Sequence, residues 1–458
     1  MAMIKRNYNK NKKMSKKEFK VINKNAAGID IGSSAHYVSV PQDRDKKPVQ
    51  RFECYTPDLH KMAKWLKICG IDTIAMESTS VYWIPVYQML EKYGFEVKLV
   101  NARHVKNVPG KKTDVADCQW LQKLHTFGLL SGSFRPENEI VVLRSYTRYR
   151  DTLIKETVVH INRMLKALIQ MNLQLHKVIS EITGVTGIKI IEAILAAQKD
   201  PVKLAKLKNN HIKKSEEEIA KALSGDYREE HLFVLKQEYE FYKIIIGKIE
   251  ECDKEIEKCY EKFDNKLKNN HKPLKKQKKT NTAKDPKFNL AGHIYRITGV
   301  DLTKIDGIGA ITSQTIISET GLDMSKWPTE KHFSSWLGLC PGNKKSGDKI
   351  LNSKTRKVVN KASTAFRQAT QSLNHSKSAL GAYHRRMKIR LGTMKAVTAT
   401  AHKLACLFYK LMKYGHEYVD IGLEEYEKKF KTRSINNLRR KAKYLGLALC
   451  EIKTGEVI

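Results

Sequence analysis

Asp30, Glu77, Asp114 and Asp117 are the residues whose types and spacing suit chemistry. Asp30 lies in Gly28-Ile29-Asp30-Ile31-Gly32-Ser33-Ser34, a single carboxylate in an apolar run that breaks into a glycine turn. Burying a carboxylate among apolar side chains is costly unless it is hydrogen-bonded, paired or bound to metal. Glu77 closes a second apolar run, and Asp114 and Asp117, three apart in a helical pattern, share one helix face. Brought together, four carboxylates repel one another unless cations are present. Hard oxygen donors select Mg²⁺ or Mn²⁺, and two such ions about 3.5–4 Å apart serve in-line phosphoryl transfer. Plainer roles exist: Asp114, after Thr113, suits a helix start, and Glu77 could merely bound a turn. A capping role does not explain a carboxylate at the end of an apolar strand.

The elements that must position these acids follow from hydrophobic patterning. Residues 26–31, 36–40 and 50–55 read as strands, and Pro57-Asp58 opens a helix to about Cys69. A strand over 73–76 delivers Glu77, a helix spans 81–93, a strand spans 96–100, and a helix runs from Asp114 to about Phe127 after the turn at 108–110. Three hairpin-like strands followed by strand–helix units predict a mixed sheet with helices on its faces. If the first and fourth strands are neighbours, their C-terminal ends bring Asp30 and Glu77 together.

Beyond this α/β region, 25–135, the strand signal disappears. Over 136–264 apolar residues step by three and four, from Ile154 to Leu175 and from Leu232 to Phe263, with Asp253 the one polar lapse. Such spacing predicts two long helices, packed as a coiled coil or as part of an ordinary bundle. Residues 265–290 read as a lysine-rich linker, 291–415 as a second, mainly helical domain, and 416–458 as a basic tail with a helix over 436–444. Residues 1–24 form a lysine-rich arm expected to be disordered.

The chain's 458 residues allow two or three domains, and its formal net charge of +37 points to a polyanionic partner. No apolar stretch is long enough to span a bilayer and no signal peptide precedes the first strand, so the expected location is the cytoplasm, with the nucleic acid. The eight cysteines show no C-x-x-C spacing and read as reduced thiols.

The runs GIDIG, AMEST, KKTDVADCQWLQKLHTFGLLSGSF and LRSYTRYRDTL resemble the DEDD transposases of bacterial insertion sequences. KIDGIGAITSQTIISETG, followed by FSSWLGLCPGNKKSGDK, is similar to the C-terminal transposase domain of that family. The resemblance covers roughly residues 26–425. It implies a RuvC-like, RNase H-type N-terminal domain in which Asp30, Glu77, Asp114 and Asp117 bind metal. It also implies that Ser346, in Gly342-Asn343-Lys344-Lys345-Ser346-Gly347, attacks a DNA phosphate, forming a transient phosphoserine bond while a 3′-hydroxyl departs. Further implications are double-stranded DNA as substrate, a structured bridge RNA as guide, a prokaryotic nucleoid setting, and homodimers or homotetramers whose subunits share each site. After Thr355-Arg356-Lys357, Val358-Val359 stands where that family's pattern leads one to expect glycine and asparagine.

Lys344, Lys345, Lys349 and Arg356 around Ser346 are expected to hold the phosphate electrostatically. Asp306-Gly307-Ile308-Gly309-Ala310, opening an apolar helix, resembles a helix–hairpin–helix, in which Gly307 and Gly309 let backbone N–H groups approach a phosphate. Three other functions compete with an RNA-guided recombinase. A hydrolytic RuvC-like nuclease would use the acids and water alone. A non-catalytic nucleic-acid-binding protein would use the α/β domain as a scaffold. An actin-like ATPase shares the Asp30-x-Gly-Ser-Ser turn but would need a second glycine-rich loop, and none is evident.

Overall fold

The computed structural model describes residues 20–78, 80–101, 113–267, 274, 285–415 and 422–450. The chain divides into two compact units, Met1–Arg135 and Pro136–Ile458. The arm expected over 1–24, the turn at 108–110 and the linker over 265–290 lie largely outside the described residues.

The first unit is built on a five-stranded sheet in the order β3-β2-β1-β4-β5. These strands are β1 (Ala26–Ile31), β2 (Ala35–Ser39), β3 (Val49–Glu53), β4 (Thr73–Glu77) and β5 (Glu96–Val100). β1, β2 and β3 pair antiparallel, as short connections require. β4 returns through helix α1 (Thr56–Ile68), and β5 through α2 (Trp83–Lys92), so β1–β4 and β4–β5 are parallel. Ile29, Ile31, Ile74 and Met76 join a core with Leu59, Met62 and Leu66 of α1 and Val86 and Leu90 of α2. The opposite sheet face is covered by α3 (Asp114–Thr126), with Ala75, Val100, Leu121 and Leu130 in a second, smaller core. Burial on both faces explains why β1 and β4 read as continuous apolar runs. Strand order and directions are compatible with the expected RNase H-like fold.

In the second unit two 33-residue helices, α4 (Asn138–Gln170) and α8 (Glu229–Glu261), lie side by side. They run antiparallel: Arg150 pairs with Asp253, and His160 and Arg163 pair with Glu238. The long helices are as expected, but their seam is not purely apolar. Arg150 and Asp253, each at most 3% exposed, meet through two hydrogen bonds of 2.5 and 3.3 Å. Between the long helices, α5 (Val185–Leu195), α6 (Pro201–Ala205) and α7 (Glu216–Ala222) build a lobe. Its core includes Ile190, Ile191, Ile194, Leu204, Ile219 and Leu223, packed on Met164 and Leu168 of α4 and Leu235 and Tyr239 of α8. The hairpin thus carries a folded end.

The remainder of this unit comprises α9 (Leu290–Thr298), α10 (Ala310–Thr320), α11 (Glu330–Trp336), a hairpin of β6 (Lys344–Ser346) and β7 (Lys349–Asn352), α12 (Lys361–Ser372), α13 (Ala379–Leu391), α14 (Thr393–Tyr414) and α15 (Gly422–Tyr444). Phe333, Phe366, Phe408 and Tyr409 are fully buried in its centre, and the Tyr409 hydroxyl donates to the Trp327 carbonyl at 2.7 Å. α10 is embedded. Its Glu319 accepts from Arg148 at 2.9 and 2.8 Å, and Arg144 donates to the carbonyls of Ser318 and Glu319, satisfying the end of the helix. Arg144, Arg148 and Arg150 of the LRSYTRYRDTL run therefore hold this unit together. Among the described residues no helix is long and apolar enough to cross a membrane.

Candidate active site

The register of β1 on β4 pairs Gly28 with Ala75 and Ile29 with Met76. The ladder ends at that pair, and Asp30 and Glu77 are the next residue on each of these two neighbouring strands. Alternation along a strand puts Gly28, Asp30, Ala75 and Glu77 on one sheet face, the face that α3 covers. Both acids are half-buried. Asp30 thus differs from the enclosed carboxylate expected from its neighbours: its strand is buried, but its side chain emerges at the strand's open end.

Gly28 sets the height of α3 above the sheet. A Cβ on Gly28 would lie 2.3 Å from the Gln122 backbone nitrogen and 2.4 Å from the Cys118 carbonyl oxygen, so only glycine admits this approach. The Thr113 hydroxyl caps α3 by accepting from the Ala116 N–H at 3.2 Å, which fixes where its first turn begins. Asp114 in that turn is exposed and Asp117 is half-buried. Cys118 connects the two sets of acids. Its buried thiol has its pKa pushed up to about 12, chiefly by burial, then by the charge of Asp30 and, less, by that of Asp117.

Asp30 also faces Tyr37, its direct partner on β2. Sequence patterning did not single out Tyr37; only the antiparallel register identifies it. Among the described residues no group of three or more His, Cys, Asp or Glu side chains is arranged to hold a metal ion. Carboxylate oxygens are the donors that a hard divalent cation takes, but Asp30, Glu77, Asp114 and Asp117 are not gathered into such a group.

Ser346 belongs to the second unit, on the β6–β7 hairpin. It pairs with Lys349 across a two-residue turn, Gly347-Asp348, in which Gly347 takes a positive φ of 55°. Every residue from 344 to 352 is exposed. A strand pair here does not follow from the sequence, because Lys344–Ser346 is polar throughout and Ile350 and Leu351 fall on opposite faces, leaving no alternation to read. Among the described residues the Ser346 hydroxyl has no hydrogen-bond partner. The base of the hairpin is tied by the Pro341–Thr355 bridge and by the Gly342 N–H donating to the Lys354 carbonyl at 3.0 Å. Lys344, Lys345 and Lys349 project from it into solvent.

Arg356 has a task within the unit: its guanidinium donates to the Ser335 carbonyl at 3.1 Å, at the end of α11. Val358 packs on Gly338, and Asn360 caps α12 by accepting from the N–H groups of Ala362 and Ser363. Gly307, at φ 89°, is pressed against α12, where a Cβ would lie 2.8 Å from the Ala369 carbonyl oxygen. Asp306 accepts from the hydroxyls of Ser376 and Ser378. Gly309 opens α10 with free space where its side chain would be. Gly307 therefore serves packing, and Gly309 is the member of the motif with an open approach.

A family model described as a transposase, DEDD_Tnp_IS110, matches residues 27–173, and one described as Transposase IS116/IS110/IS902 family matches residues 301–385. Their 147 and 85 residues together make 232 of 458, half of the chain. No curated protein matches the chain.

Proposed function

Because the chain belongs to the IS110 family of DEDD transposases, whose members act on DNA, we propose that it cuts and rejoins DNA strands through a phosphoserine bond. Asp30, Glu77, Asp114 and Asp117 are the metal-binding acids in this reading, and Mg²⁺ or Mn²⁺ is the cofactor, two ions per site. Bound there, such ions would offset carboxylate repulsion and supply charge stabilisation to the phosphate. Ser346 is the nucleophile. Its Oγ–P bond forms as the P–O3′ bond breaks, and the proton lost by the Ser346 hydroxyl ends on the departing O3′, which leaves as a 3′-hydroxyl. The diester energy is retained in the Ser346 linkage, so resealing requires no ATP. Lys344, Lys345 and Lys349 hold the phosphate beside the serine.

The observation that carries this reading is that Asp30 and Glu77 follow the last paired residues of neighbouring parallel strands, on the sheet face covered by the helix that carries Asp114 and Asp117. The family resemblance implies a site completed by two subunits, within a dimer or tetramer. A structured bridge RNA is the proposed guide, consistent with a net charge of +37. The hairpin of α4 and α8 acts as an arm, and the turn at Gly309 meets a backbone phosphate.

The test incubates the chain with Mg²⁺, element-end DNA and the element's flanking non-coding RNA, and looks for protein covalently attached to DNA. Attachment is expected in the wild type and lost in Ser346→Ala. Free cut ends that persist in Ser346→Ala would replace the reading with a hydrolytic nuclease. Intact binding without wild-type cleavage would leave a nucleic-acid-binding scaffold.

A further inference from the structure

Shortly after Glu77 lies a residue whose backbone the acids do not explain. Ser80 adopts a left-handed conformation, φ 49°, unusual for a residue other than glycine. On either side Ser78 N–H donates to the Val100 carbonyl at 3.1 Å, the Trp83 indole N–H to the Ser80 carbonyl at 3.1 Å, and Ile84 N–H to the Val81 carbonyl at 3.1 Å. Trp83 is itself braced edge-on against Tyr87, 5.9 Å between ring centres, and Tyr87 lies under the Arg135 guanidinium. This bracing keeps large apolar side chains in solvent: Val81 is 63% exposed and Tyr82 43% exposed. Strained backbone that presents apolar groups beside a reactive edge suggests a function for those groups.

We propose that Val81 and Tyr82 form a wedge that enters the base stack next to the phosphodiester held at the acids. The inference rests on the proposed function, since it takes DNA as the occupant of the sheet's C-terminal edge. A phosphate lying against Glu77 brings its own nucleotides to the following turn, four and five residues on. Apolar side chains inserted between base steps unstack and kink a duplex, giving an attacking group room at the backbone. The aromatic ring of Tyr82 supplies a stacking surface for the displaced base, and Val81 fills the gap. Trp83 is the positioning residue that aims them.

The test uses the full chain and element-end duplexes carrying 2-aminopurine at successive positions, with Ca²⁺ in place of Mg²⁺ so that binding is read apart from cutting. Wild type is expected to raise the probe's fluorescence several-fold at one position. Val81→Ala combined with Tyr82→Ala abolishes the rise in complexes that anisotropy shows to be saturated. Tyr82→Phe, which keeps the ring, restores it. A rise that persists in the double variant, or its absence from saturated wild-type complex, overturns the wedge. Failure of the acid-site reading shows separately, as Mg²⁺-dependent cleavage that survives Asp30→Asn or Glu77→Gln.

Discussion

Gly28 of β1 and Cys118 of α3 touch backbone to backbone, with room for a hydrogen on Gly28 but not for a methyl group. The contact sets the distance between the strand that ends in Asp30 and the helix that carries Asp114 and Asp117. In Gly28→Ala the helix must lift from the sheet, since both atoms it would strike are backbone. Overpacking of this kind costs about 1–3 kcal/mol. The expected variant is folded, with a lowered thermal midpoint and cleavage reduced by more than about tenfold, the rate factor that 1.36 kcal/mol represents. Thermal unfolding and a cleavage assay on the same preparation check both.

Asp253 and Arg150 are both buried, so removing one leaves the other's charge uncompensated. Asp253→Ala is expected to destabilise the second unit by about 3–5 kcal/mol. Replacing both partners, Arg150→Met with Asp253→Leu, is expected to cost much less, because no buried charge remains. Urea unfolding followed by circular dichroism separates the two outcomes.

His125, on α3, is almost fully buried, and its Nε2 lies 2.9 Å from the Thr73 hydroxyl. Burial, aided by the charge of Lys98, lowers its pKa from 6.5 to about 4. The unfolded chain therefore binds more protons than the folded one between those values, so stability is full above pH 6.5 and falls as pH drops towards 4. The loss at this one group is on the order of 3 kcal/mol at pH 4. His125→Gln is expected to be less stable at pH 7 but to show a shallower pH dependence between 6.5 and 4, measured as urea midpoints. Burial also lowers the pKa of His36, His384 and His402, so part of the slope remains.

Lys344, Lys345 and Lys349 stand on an exposed ribbon with no ion pair among the described residues. If they hold phosphates, replacing all three by alanine reduces the slope of log affinity against log salt by up to about 3, roughly one per contact. DNA binding by fluorescence anisotropy at several salt concentrations measures it. An unchanged slope would assign phosphate contact elsewhere.

The α/β part was legible because its signals are local. The run Ala26–Ile31 followed by Gly32, and Thr73–Met76 followed by Glu77, state strand and stop within six residues. Asp30 and Glu77 could be paired from element order alone. Their exposure could not, because it depends on how far each strand projects beyond the helix above it. The partner of Asp253 is Arg150, 103 residues away, and no periodicity links them. The lobe between α4 and α8 escaped because α6 and α7 have five and seven residues, too few for a helical repeat to register. Tyr37 was hidden by ordinary chemistry: a tyrosine in a strand is unremarkable until the register sets it opposite Asp30.

The β6–β7 ribbon carries a consequence for how this protein can vary. A two-stranded hairpin is marginally stable by itself, and every residue of Lys344–Ser346 and Lys349–Asn352 is exposed, so this ribbon buries little of the unit's core. Selection on those positions is therefore uncoupled from selection for folding. They can be randomised in a library while the scaffold beneath stays intact, so a lost activity at any of them reports on chemistry or substrate contact rather than on folding.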